Sequence, residues 1–88
     1  MIERLSEIKW INVTNIKFDN IPCNSQTFDL AIKLKNGTIR PENLSPIIVE
    51  LAITGAYHVR DGRHRAAAFK LAGIEQIKAR VFRNKHLR

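Results

Sequence analysis

Hydrophobic and polar residues alternate along three stretches of this chain, and a helical spacing takes over between them. "IKWINVTNIKF", Ile8 to Phe18, mixes β-branched and aromatic residues and predicts a strand. "DNIPCNS" follows as a loop, marked by Pro22 and its Asn/Ser cluster. "PIIVELAI", Pro46 to Ile53, puts Ile47, Val49, Leu51 and Ile53 on one face. Thr54-Gly55 then offers a tight turn and "AYHVR" a partner strand, so the pair predicts a β-hairpin. In that partner strand Tyr57 and Val59 share one face, and His58 and Arg60 the other. From Arg63 to Ala72 the spacing becomes helical, with Ala66, Ala67, Ala68 and Leu71 as strong helix formers and Gly73 in the position after the C-cap. "QIKARVF", Gln76 to Phe82, predicts a last strand with Ile77, Ala79 and Val81 inward. "RNKHLR" reads as a frayed basic tail.

One stretch, "SQTFDLAIKLKNG", fits two elements. Phe28, Leu30, Ile32 and Leu34 alternate as in a strand, and Asn36-Gly37 suits a hairpin turn. The same residues fit a helix, with Ser25 as N-cap and Gly37 closing the C-terminus. "TIRPENLS" then connects to the hairpin, with a short helical turn from Pro41. Under the helical reading, the order strand, helix, hairpin, helix, strand predicts an α+β domain: a small mixed β-sheet with packed helices.

The length of 88 residues sets one domain, 1–88, with a core over about 8–82, a modest buried interior and the basic tail at 83–88. Hydrophobic residues at 44% and charged residues at 26% suit a folded chain rather than a disordered one. A lone cysteine, Cys23, allows no disulfide within the chain. Cys23 with His58, His64 and His86 matches no metal-ligand spacing, so no metal is expected. The polar N-terminus is no secretory signal, and Glu50 breaks the longest apolar run. These features predict a cytoplasmic protein without a membrane partner. They also make the glycosylation triplets at Asn12, Asn36 and Asn43 coincidental.

Charge changes the picture more. Residues 1–59 carry six basic and six acidic side chains, whereas residues 60–88 carry nine basic ones against Asp61 and Glu75. The whole excess of +7 therefore sits in the last third. Such asymmetry points to a phosphate-bearing partner, nucleotide or nucleic acid.

The charge is densest in "RDGRHRAAAFKLAG", where a helix begins. A helix N-terminus leaves backbone N–H groups unpaired and carries partial positive charge, so it attracts anions. Gly62 permits close approach of a ligand and a positive φ. Arginine adds a planar fork that matches two phosphate oxygens. Arg63 and Arg65 stand in the first turn, where the dipole disfavours cations and where Asp or Glu would stabilise. An anionic ligand resolves that conflict. Each residue also has a plainer role to fill. Asp61 suits a helix cap, and His64 a surface donor to a loop carbonyl. Arg63 and Arg65 suit partners of Glu42 or Glu50, and Tyr57 and Trp10 suit sheet packing.

The segment "PIIVELAITGAYHVRDGRHRAAAFKLAGIEQIKARV" resembles the N-terminal domain of the ParB partition-protein family, which is related to sulfiredoxin and to a free-serine kinase. Pro46, Ile47 and Val49 match that family's Pro-Ile-x-Val strand. Gly62 and Arg65 match its Gly-Glu-Arg-Arg-x-Arg-Ala helix start, and Ala68, Ala72 and Gly73 match the helix that follows. The match covers roughly residues 44 to 82. The resemblance implies a ParB/sulfiredoxin-like fold, and a helix over Ser25 to Asn36. It also implies nucleotide binding, with ATP or CTP and Mg²⁺ as the cofactors to expect. The chain departs from the pattern at Arg63, His64, Ala67 and Ser45, where partition proteins have Glu, two Arg and Gln. Sulfiredoxin-like members carry Gly-Cys-His-Arg here. This chain keeps Gly62, His64 and Arg65 but has Arg63 in place of the reactive cysteine, which argues against sulfinic acid reduction.

Three functions follow. In the first, nucleotide phosphates rest on Gly62 and Arg63, clamped by His64 and Arg65, with Asp61 beside them and the Leu44-Ser45-Pro46 turn as far wall. NTP hydrolysis or phosphoryl transfer would then use Mg²⁺, with Asp61, Glu42 and Glu50 the only nearby acids. The alternative is a DNA-binding module using Arg60, Lys78, Arg80, Arg83, Lys85 and Arg88. Nuclease chemistry wants clustered carboxylates that the basic third lacks. A homodimer fits either reading. A third function is an inactive interaction domain that kept the fold and lost the ligand.

Overall fold

The computed structural model describes residues 6–18, 24–84 and 86–87. The expectations for Cys23, Pro22, Lys85 and Arg88 lie outside the described residues. Five strands form one mixed sheet: β1 (Ser6–Asn12), β2 (Ile16–Lys17), β3 (Ile47–Leu51), β4 (Tyr57–Asp61) and β5 (Gln76–Arg83). Their order is β1-β5-β3-β4-β2. β5 lies antiparallel to β1 and parallel to β3, while β4 lies antiparallel to β3 and parallel to β2. Two helices join them, α1 (Ser25–Lys35) and α2 (Arg63–Leu71). The α+β architecture with a small mixed sheet and packed helices is thus present. No helix among the described residues is long and apolar enough to cross a membrane.

α2 touches α1 as well as β3 and β5. That position explains its composition. Ala66, Ala67 and Ala68 are all fully buried beside Phe69, and only small side chains let a helix be covered on so many sides. The sheet supplies Ile47, Val49, Ile77, Ala79 and Val81 to the same core, and α1 supplies Ala31 and Leu34. The inward set of β5 is therefore the one its alternation predicts.

Several expectations change. The strand predicted over Ile8 to Phe18 is two strands on opposite edges of the sheet, joined by a 3-10 turn at Val13–Asn15. Val13 is buried and its N–H donates to Glu75 O at 2.8 Å, which pulls the chain out of the β1 ladder. Over residues 25–36 the helix forms, not the hairpin, and its N-cap is Asn24 rather than Ser25: the Asn24 side chain accepts from Thr27 N–H at 3.0 Å. The hairpin has a longer connection than a two-residue turn, spanning Ala52 to Ala56, with Ala52 N–H donating to Ala56 O. Ile53 falls in that connection and is exposed, so it does not share the inward face of β3. The segment after β5 is docked rather than frayed where it is described. Asn84 N–H donates to Leu51 O, and Ile53 N–H donates to Leu87 O.

Candidate functional site

β4 ends at Asp61, Gly62 turns the chain, and α2 starts at Arg63. Gly62 has φ +97°, in the left-handed region that other residues avoid. A Cβ at this position would also lie 2.4 Å from Ile47 Cγ2, in the first residue of β3. Two requirements therefore select glycine here, the backbone angle and the close approach of the turn to the core.

A register shift between Ile48 and Val49 prepares this turn. Ile48 pairs with Asp61 and Val49 with Val59, so Arg60 is the extra residue of a bulge. Arg60 reaches Glu50 on the neighbouring strand, Nε to Oε1 at 3.1 Å. Glu50 also accepts from Asn84 Nδ2 at 2.7 Å. This acid thus faces Arg60, and neither Arg63 nor Arg65 pairs with it.

The start of α2 carries no side-chain cap. Asp61, which the sequence casts as a cap, is instead the last residue of β4, with a carboxylate 3.9 Å from Arg65 Nη2. The first N–H of α2 with a helical partner is that of Ala66, which donates to Gly62 O at 2.9 Å. The N–H groups of Arg63, His64 and Arg65 precede it and point out of the helix end. Arg63 and His64 are exposed. Arg65 lies back over the turn, where its Nη2 would be 3.4 Å from a Cβ on Gly62, and its Nη1 donates to Ser45 O. That bond brings the Leu44-Ser45-Pro46 segment beside the turn. Ser45 thus meets the site through its carbonyl, while the Glu42 segment lies off to the side, with Glu42 O accepting from Lys78 Nζ at 3.0 Å.

His64 is oriented by a residue that the sequence pattern did not single out. Its Nδ1 lies 3.0 Å from the hydroxyl of Thr27, a fully buried residue in the first turn of α1. The same hydroxyl lies 3.2 Å from Asn24 Oδ1. Asn24 Oδ1 already accepts from Thr27 N–H, so it is the oxygen and cannot donate. The single hydroxyl proton of Thr27 therefore goes to Asn24, and Thr27 accepts from His64 Nδ1–H. This leaves Nε2 as the nitrogen of His64 free for a ligand. The signal that could have found Thr27 is its place three residues after Asn24, but the expected cap is Ser25.

Of the predicted phosphate group, Asp61, Gly62, Arg63, His64 and Arg65 thus occupy one turn, and Ser45 meets it through its carbonyl. The described members of the alternative set do not form one cluster. Arg60 is committed to Glu50, Lys78 and Arg80 lie on β5, and Arg83 ends that strand.

The family model of the ParB N-terminal domain matches residues 4–87. Solved structures agree in fold. The C-terminally truncated chromosome-partitioning protein ParB from Caulobacter crescentus, complexed with CTP-γ-S, superposes with a TM-score of 0.65 at 17% identity, over 90% of this chain and 46% of that one. A Pnob8-like ParB-N domain gives 0.63 at 20% identity, over 97% of this chain and 33% of the other. The chain thus spans half or less of each of these structures. No curated protein shows significant similarity to the sequence.

Proposed function

Since this chain belongs to the family of ParB N-terminal domains, we propose that it binds the phosphates of a nucleotide at the turn from Gly62 to Arg65. The observation that carries this reading is the start of α2, a helix end with no side-chain cap, no acid in its first turn and Arg63, His64 and Arg65 gathered there instead. Three outward N–H groups and two guanidinium groups form a donor set that suits phosphate oxygens. Gly62 keeps the backbone bare where a ligand would approach. The homologous ParB of known structure holds CTP-γ-S, which supports a nucleotide over free phosphate.

The residues present fit a phosphate chain. Arg63 and the N–H groups of the first turn would take one phosphate, and Arg65, already lying over Gly62, would brace it against the Ser45 segment. A bound nucleotide would supply the negative charge that this helix end lacks. The reading is one of binding and carries no step of turnover. Glu50 is held by Arg60 and Asn84, and Asp61 lies beside Arg65.

Titration of the ¹⁵N-labelled protein with CTP and ATP, each with and without Mg²⁺, tests the proposal. The amide signals of Gly62 to Arg65 should move first and furthest. Unmoved signals at millimolar nucleotide would overturn it.

A further inference from the structure

The helices cover one face of the sheet, and the other face exposes a tryptophan. On β1 the residues opposite to buried Ile11 are Ser6, Ile8, Trp10 and Asn12. Register places Trp10 beside Lys78, Ile8 beside Arg80 and Ser6 beside Phe82. Trp10 is 42% exposed and Ile8 51%, although both sit within a strand. Both contribute apolar surface that folding leaves in water.

Charge divides this face into two halves. Toward β3 and β4 a cation meets an acid, Arg60 with Glu50. Toward β1 and β5 the cations meet only neutral acceptors among the described residues. Lys78 Nζ donates to Glu42 O and lies 5.7 Å from the centre of the Trp10 ring, and Arg80 Nη1 donates to Ser6 Oγ at 3.2 Å. An exposed aromatic flanked by uncompensated cations on an open sheet is complementary to a chain with flat apolar bases and phosphates between them.

We propose that the β1–β5 half of the open face binds single-stranded nucleic acid, with a base stacked on Trp10 and phosphates on Lys78 and Arg80. A duplex hides the faces of its bases, and this sheet offers no helix to enter a groove. Successive rows of the face, Trp10 with Lys78, Ile8 with Arg80, then Phe82, step along the strand by about 6.6 Å, so an extended chain of nucleotides lies along β5. This surface is separate from the Gly62 turn and does not depend on the nucleotide reading.

Trp10 is the single tryptophan of the chain, so its fluorescence reports this face alone. A short oligothymidylate at low salt should quench it, and a duplex of the same length should quench it far less. Affinity should fall as salt rises, and Lys78→Gln with Arg80→Gln should flatten the salt slope by about 1.4, two phosphates at roughly 0.7 each. Trp10→Ala, followed by anisotropy of a labelled oligothymidylate, should bind roughly 5- to 150-fold more weakly, with Trp10→Phe recovering part of the loss. Arg65→Ala should leave the quench intact, which separates this site from the one at the helix start. Absence of a quench at low salt overturns the proposal, as does unchanged anisotropy binding in Trp10→Ala. A blue shift of Trp10 that depends on protein concentration alone overturns it too, by assigning the face to a second copy of the chain.

Discussion

The two helices of this domain start in opposite ways. α1 begins with a capping asparagine whose side chain takes up an N–H of the first turn. α2 begins at a glycine without a side-chain cap, and its first turn holds Arg63, His64 and Arg65. The first pattern satisfies the helix from within. The second leaves the donors and the dipole unsatisfied and adds like charge to them. Because one chain contains both, the bare start of α2 is not a general habit of this sequence. The two starts also touch, through the Thr27 hydroxyl and His64 Nδ1. The self-satisfied start thereby sets the orientation of the unsatisfied one.

The largest way to break the comparison is at Gly62. Gly62→Ala forces a side chain into φ +97° and within 2.4 Å of Ile47 Cγ2. Left-handed backbone and core overpacking together should destabilise the domain by about 2–4 kcal/mol, measured by urea unfolding. Gly73→Ala is the control. It also has positive φ but nothing within 4 Å, so it should cost only about 1–2 kcal/mol. Equal costs at both positions would show that the turn does not depend on its contact with Ile47.

Arg65→Ala comes next and acts on the ligand rather than the fold. Arg65 donates to the carbonyl of Ser45, an exposed residue that water can serve instead, so unfolding should change by under about 1 kcal/mol. Nucleotide affinity should fall about tenfold or more, in line with about 1.5–3 kcal/mol for a hydrogen bond to a charged group. Isothermal titration calorimetry with CTP reads this directly. Arg65→Lys should recover only part of the loss, because an ammonium group lacks the planar fork.

Much of this was legible from the sequence, and the rest failed for identifiable reasons. The β3–β4 hairpin, α2 and β5 follow from local alternation and propensity. The charge conflict at Arg63 and Arg65 needs only the dipole argument. The split between β1 and β2 was hidden because both faces of the stretch carry hydrophobic residues. Ile8 and Trp10 lie on one face, Ile11 and Val13 on the other, so alternation could not show where the ladder stops. The contact that stops it, Val13 with Glu75, spans most of the chain. Thr27 was hidden for a similar reason. Its partner His64 lies 37 residues away, and a lone threonine in a helix carries no pattern. Trp10 looked like sheet packing because a strand pattern says which residues share a face. It does not say which face the helices leave bare.

Asn24→Ala breaks the comparison from the other side. Loss of the cap should cost about 1 kcal/mol of stability. The hydroxyl proton of Thr27, no longer taken by Asn24 Oδ1, is then free to turn toward His64. The imidazole should lose its fixed tautomer, seen as converging ¹⁵N shifts of Nδ1 and Nε2. A cap variant with the wild-type ¹⁵N pattern would show that Thr27 does not set the orientation of His64.

The smallest change sharpens the comparison most, because its two effects carry opposite signs. Arg63→Glu gives α2 the acidic first turn that a self-satisfied helix has. Arg63 is exposed, so nothing in the core is disturbed. The exchange should stabilise the domain by about 0.3–1 kcal/mol through the dipole. It should also weaken nucleotide binding several-fold, since a carboxylate then stands where a phosphate would approach. Thermal unfolding and a CTP titration on the same sample read both. A purely structural helix start would show the gain in stability without the loss of binding. A variant that loses stability as well would mean that Arg63 serves the fold, and that the cations at this helix start are not explained by a ligand.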